Sequence, residues 1–209
     1  MKTILLLGCG SKWGAELTKQ YADQGYQVDL ISGSNFSYPN VNTILVDWFS
    51  LTPELLQNII PKKKYDLIFF NQNTGGHPNK NSFDQKSSID IGQWNSHIWI
   101  NNQLPFFVVK QLAEHIDDTT KIGWMLTGLI IGSDPAMYQY AGYACVKSAN
   151  LHIMRGFSVA HPGIFFAINP MWFPVEDYVK DAVQIIKVID GIDNSRSGKV
   201  INKDGSIWL

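Results

Sequence analysis

Short runs in which nearly every position is apolar alternate with longer stretches whose apolar residues recur every three or four positions, and this alternation spans the whole chain. A strand reads as unbroken apolar when helices cover both faces of its sheet, so the pattern predicts a parallel sheet between two helical layers. Thr3 to Leu7, Tyr26 to Ile31, Thr43 to Val46, Asp66 to Phe70, Lys121 to Leu126 and Phe165 to Ile168 are the predicted strands; Lys199 to Asn202 closes the series after a turn at Ser195 to Gly198. Helical spacing occupies Lys12 to Gln24, Thr52 to Ile60, Ile91 to His115, Ala136 to Val159 and Val175 to Ile189. Pro53 suits the first turn of its helix, where the amide it lacks has no partner in any case. The stretch from Asn71 to Asp90, rich in Asn, Ser and Gly, reads as a loop on the rim of the sheet. No internal repeat or linker breaks the series, so residues 1–209 are expected to form a single domain, a doubly wound three-layer α/β/α sheet.

Composition narrows the partners. A formal charge of -1 from 17 basic and 18 acidic residues, with no basic run, offers no footprint for nucleic acid. The longest later apolar stretch, Ile122 to Ile131, contains Gly123 and Gly128 and falls well short of the roughly 20 residues of a membrane span. Met1 and Lys2 lead directly into Ile4 to Leu7, too short for the core of a signal peptide. With only Cys9 and Cys145 there is no disulfide framework, and a reducing cytoplasm is the expected home. The five histidines show no metal-ligand spacing. A small-molecule partner is therefore expected.

The first strand runs into Gly8, Cys9, Gly10, Ser11, Lys12, Trp13 and Gly14, a glycine-rich turn that opens a helix. Glycines there let the backbone turn tightly against a pyrophosphate, and the helix N-terminus adds free amides and a positive dipole, so the turn suits a dinucleotide. Enzymes that prefer NAD place a carboxylate at the end of the second strand to hold the ribose 2′-hydroxyl. Here that end reads Ser32, Gly33, Ser34, and Asp29 lies earlier, where it is expected to be solvated. With Lys12 in the turn and hydroxyls at Ser32 and Ser34, NADP(H) is preferred over NAD(H). Farther on, Tyr143 and Lys147 stand four apart in a predicted helix and share one of its faces. A phenol titrates near ~10 and exchanges protons usefully at neutral pH when a nearby ammonium stabilises its anion.

These features, taken with others in the same order, resemble the short-chain dehydrogenase/reductase family, a Rossmann-fold family of the Tyr-x-x-x-Lys type, and mark the chain as a divergent member. Asp47, followed by Trp48, resembles the aspartate that meets the adenine ring; Gln72 to Gly75 resembles the motif closing the fourth strand, with Asn73 and Gly75 retained. Trp94 through Phe106 resembles the next helix, which makes Asn101 the relay asparagine linking Lys147 to solvent. Asn169 and Pro170 resemble the segment bordering the nicotinamide, with Met171 in place of a glycine, and Gly198 to Val200 with Asp204 and Gly205 resembles the C-terminal close. The resemblance implies an NADP(H)-dependent oxidoreductase acting on a small carbonyl or alcohol. In it Tyr143 is the acid or base, and Lys147 lowers the tyrosine pKa and binds the nicotinamide ribose.

Two departures bear on catalysis. The family turn has a glycine where Lys12 stands, and the serine expected after the fifth strand is missing from Leu126 to Ser133, leaving Thr127 as the substitute hydroxyl ahead of Ser133. These departures keep open a non-catalytic dinucleotide-binding sensor or scaffold, and a redox-neutral epimerase or dehydratase using the same Tyr-Lys pair. Only Met171 to Val175 stands where relatives carry a lid, so the site is open or completed by a partner subunit; Trp172, Phe173 and Tyr138 or Tyr140 are candidates for an apolar wall. In the family, helices matching Ile98 to His115 and Gly142 to Val159 form subunit interfaces. A homodimer or homotetramer is thus expected, with Phe106, Phe107, Val108, Leu112, Leu151 and Met154 facing either a partner or the sheet.

Overall fold

The computed structural model describes residues 2–8, 12–72, 91–127, 141–170 and 177–209. Seven strands, β1 (Thr3–Leu7), β2 (Gln27–Ser32), β3 (Val41–Leu45), β4 (Leu67–Phe70), β5 (Lys121–Met125), β6 (Ile164–Asn169) and β7 (Lys199–Asn202), pair in parallel in the order β3-β2-β1-β4-β5-β6-β7. The order grows outward from β1 in one direction and resumes at β4 in the other, which opens a crevice beyond the carboxyl ends of β1 and β4.

Alternation along each strand divides the core in two. Leu5, Leu7, Ile68, Phe70, Ile122, Trp124, Phe165 and Ala167 meet α2 (Pro53–Ile59), α4 (Leu104–Gln111) and α5 (Ala141–Ala160). Their neighbours Ile4, Leu6, Phe69, Phe166 and Ile168 meet α1 (Lys12–Asp23) and α6 (Tyr178–Asp190) on the other face. A strand buried on both faces needs no polar positions, which is why the apolar runs located the strands. At the middle of β5, Gly123 makes room for large neighbours: a Cβ there would lie 2.5 Å from Phe166 and 2.6 Å from Phe69, the residues facing it from β6 and β4. After β7 the chain turns at Gly205, φ 88°, and returns antiparallel. The Val200 amide donates to the Leu209 carbonyl at 2.9 Å and the Trp208 amide to the Val200 carbonyl at 2.8 Å, so the edge of the sheet is covered by its own tail. Among the described residues no helix is long and apolar enough to cross a membrane.

Two expectations change. Asp29 is not solvated: it is 5% exposed, accepts hydrogen bonds from Tyr65 at 2.8 Å and Asn42 at 2.9 Å, and pairs with Lys63 at 2.7 Å. Burial works against its charge, yet the bonds from Lys63, Asn42 and Tyr65 outweigh it and hold the carboxyl below its ordinary value. The single helix expected from Ile91 to His115 is four segments: α3 (Ile91–Ile98), a π-helical turn (Trp99–Gln103), α4, and a 3-10 turn (Ala113–His115). Pro105 accounts for the break, since in a continuous α-helix its ring would press on the Asn101 carbonyl one turn back. Of the six apolar residues expected at a partner or the sheet, Val108, Leu112, Leu151 and Met154 are buried in the core, while Phe106 and Phe107 are 42% and 36% exposed.

Candidate active site

The glycine turn is built where β1 leaves the sheet. Gly8 has φ 85°, and a Cβ on it would sit 2.4 Å from the Gln72 Cα, so both conformation and contact demand glycine. Its amide donates to the Ile31 carbonyl at 2.9 Å and its carbonyl accepts from the Asn71 side chain at 2.8 Å, which ties the turn to β2 and to the end of β4. Gly14 is buried, and its carbonyl accepts from Thr18 at 2.7 Å. Gly10 and Ser11 lie outside the described residues, as do Asn73, Gly75, Ser133, Tyr138, Tyr140, Trp172 and Phe173.

A cleft of about 430 Å³ lies past the carboxyl ends of the strands. Lys12 and Trp13 reach it from the start of α1, Asn71 from beyond β4, and Met125, Leu126 and Thr127 from β5 and its exit. Tyr143 and Lys147 come from α5, Pro170 from beyond β6, and Tyr178 from the start of α6. Folding thus brings together Lys12, Trp13, Thr127, Tyr143, Lys147 and Pro170, six of the residues singled out in the sequence. Asn71, Met125 and Tyr178 join them unannounced. Asn71 borders a motif that drew attention to the residues after it, and Met125 contributes through its backbone, which no side-chain pattern reveals.

Lys147 is the electrostatic centre. Its side chain is buried, 3% exposed, and the ammonium donates to the Met125 carbonyl at 3.2 Å and lies 5.7 Å from the centre of the Tyr143 ring. Removal from water disfavours its charge and lowers its pKa from 10.5 to about 8. A cation over the ring face is drawn to its π electrons, which holds Lys147 and Tyr143 together at the cleft. Tyr143 itself is half-buried and opens on the cleft.

Asn101 sits in the π-helical turn, 1% exposed. Its side-chain amide donates to the His97 carbonyl at 3.0 Å, while its Oδ1 is buried without a hydrogen-bond partner, and it makes no direct bond to Lys147. The neighbouring Asn102, absent from the candidates in the sequence, fixes the turn against α5: it donates to the carbonyl of Val146, the residue before Lys147, at 2.7 Å and to the Asn150 side chain at 3.0 Å. Gln72 holds the same turn from the β4 side by donating to the Ile100 carbonyl at 3.2 Å. Single π-helical turns within a helix are frequent at functional sites.

At the end of β2 the two serines differ. Ser32 is fully buried and its oxygen accepts the Ser34 amide at 3.0 Å, so the solvent-facing hydroxyl is that of Ser34. Trp48 packs over the turn: a Cβ on Gly33 would lie 2.6 Å from its indole nitrogen. Asp47 is exposed, and its carboxylate accepts the Phe49 amide at 3.1 Å. None of these residues lines the cleft that holds Tyr143 and Lys147.

No protein-family model matches the chain, and no curated protein does. Solved structures do. A carbonyl reductase from Pseudomonas aeruginosa PAO1 superposes with a TM-score of 0.81 at 14% identity, covering 100% of this chain and 99% of that one. A Burkholderia multivorans protein described as a short-chain dehydrogenase/reductase with bound NADP gives 0.77 at 18% identity, covering 99% of each chain. A Shigella flexneri short-chain dehydrogenase complexed with NADP gives 0.75 at 18%, covering 97% and 96%. The seven-stranded parallel sheet and its helical layers are therefore the Rossmann-type fold of the short-chain dehydrogenase/reductases.

Proposed function

We propose that the protein is an NAD(P)-dependent oxidoreductase of the short-chain dehydrogenase type, moving a hydride between NADP(H) and a small carbonyl or alcohol. The observation that carries the reading is that Tyr143 and the buried Lys147 share one cleft with the exits of β4, β5 and β6, beside the glycine turn of β1. The residues present fit a nicotinamide dinucleotide: a glycine-only turn at Gly8, two ammonium groups and an apolar wall at the switch point of the sheet. Gly8, Gly10, Ser11 and Gly14 would hold the diphosphate, Lys147 and Pro170 the nicotinamide end, and Ser34 with Asp47 and Trp48 the adenosine. The nicotinamide, when bound, supplies or accepts the hydride.

In the reducing direction Tyr143 gives its proton to the carbonyl oxygen as the carbon becomes an alcohol, and Lys147 stabilises the phenolate left behind. Thr127, at the exit of β5, orients the carbonyl by donating its hydroxyl proton. The unpartnered Oδ1 of Asn101 is the acceptor to which a water serving Lys147 would bond. In the oxidising direction the same groups run in reverse, Tyr143 taking the alcohol proton.

Calorimetric titration with NADPH and with NADH under identical salt tests the reading, and binding of both, tighter for NADPH, is the expected result. Binding of neither would remove it; tighter NADH would keep the enzyme and overturn the preference. Consumption of NADPH with a carbonyl substrate would set a reductase apart from a redox-neutral enzyme. The protein is further proposed to pair with copies of itself through α4 and α5, a reading supported by exposed Phe106 and Phe107 beside Trp99. Light scattering is expected to report a dimer or tetramer, and a monomer would end that proposal.

A further inference from the structure

We propose that Lys12 pairs with the diphosphate bridge of the bound dinucleotide and not with a phosphate on its adenosine ribose, so that it contributes equally to NADPH and NADH affinity. The inference rests on the dinucleotide reading above. Lys12 is the first residue of α1, exposed to solvent, with its ammonium 5.5 Å from the centre of the Tyr178 ring. Among the described residues no carboxylate pairs with it. A cation seated on an aromatic face is held in place while keeping its charge available to an anion. Among the described residues two ammonium groups line the cleft: Lys147 is buried and engaged by the Met125 carbonyl, and Lys12 is the one open to a charged ligand.

Position decides which anion it meets. Lys12 shares its cleft with Asn71, Thr127, Tyr143 and Pro170, all beyond β4, β5 and β6 or on the helix covering them. The adenosine ribose is read at the end of β2, on the other side of β1, where Ser32 to Ser34 lie under Trp48 and contribute nothing to this cleft. Between those two ends, at the turn from β1 into α1, a dinucleotide presents its diphosphate. An ammonium on the first residue of that helix adds a full charge to the partial charge of its amides.

Titration of Lys12→Met and Lys12→Arg with NADPH and NADH at several salt concentrations tests the assignment. Lys12→Met is expected to weaken both nucleotides by the same factor, roughly tenfold, with a shallower salt dependence, while Lys12→Arg keeps most of the affinity. A loss confined to NADPH would move Lys12 to the ribose phosphate, and unchanged affinity for both would remove it from the nucleotide altogether; either overturns the proposal. A wild-type protein that binds neither nucleotide would sink the dinucleotide reading first, which keeps the two failures distinguishable.

Discussion

Replacing Lys147 by methionine is expected to lower turnover by a factor of roughly 10² or more and to change how stability depends on pH. The lysine titrates near pH 8 in the folded protein against 10.5 ordinarily, because burial penalises its charge. Between those values the unfolded chain holds a proton that the folded chain has released, so unfolding takes up a proton and stability rises with pH across the window. The rise amounts to roughly 3 kcal/mol, at 1.36 kcal/mol for each pKa unit. It is absent from the variant, and other titrating groups cancel in the comparison. Urea denaturation of both proteins from pH 7 to 10.5 should therefore show the wild type gaining about 3 kcal/mol on the variant. Parallel curves would mean that the lysine is solvated and unshifted. In the proposed mechanism the same titration bears on catalysis, since a neutral amine would no longer stabilise the phenolate: kcat/KM of the wild type is expected to fall as pH rises through about 8.

Tyr143→Phe is expected to reduce turnover by roughly 10²–10⁴ and to leave dinucleotide affinity within about a factor of two. The substitution removes one hydroxyl from a half-buried ring that opens on the cleft, so packing along α5 and the seat of Lys147 are preserved. Because the proton moves only as the reaction proceeds, kcat and kcat/KM should fall together. Turnover above about a tenth of wild type would place the proton on another group, whereas a parallel loss of NADPH affinity would show the hydroxyl to be a binding contact.

Much of the fold was legible because its strands are buried on both faces. Leu67 to Phe70 and Ile164 to Ile168 contain no charged residue, and both lie inside the sheet. The Tyr143 and Lys147 pair was legible for a different reason, since a helix carries residues four apart onto one face whatever surrounds them. What escaped the reading depends on residues distant in sequence. Asp29 looked solvated because its partners Lys63 and Tyr65 precede β4 and Asn42 lies on β3; only folding brings them around it. The break after Ile98 had a visible sign in Pro105, but a proline near a helix start and a proline that widens the preceding turn look alike in one dimension. In the sequence Lys12 stands with Ser32 and Ser34 as one candidate phosphate-binding group; in the structure Lys12 lines the cleft of Tyr143 and Lys147, and the two serines do not.

The burial of Lys147 has a consequence for how such a chain persists. At neutral pH the charged lysine weakens the fold, so drift toward stability would tend to discard it, whereas most random substitutions elsewhere are opposed because they destabilise. A descendant that had ceased to turn over substrate would have every opportunity to replace this residue with an apolar one of similar length. Its presence over the Tyr143 ring is what a lysine kept for the ligand or the chemistry of this cleft would leave, since the stability of the fold alone would not keep it.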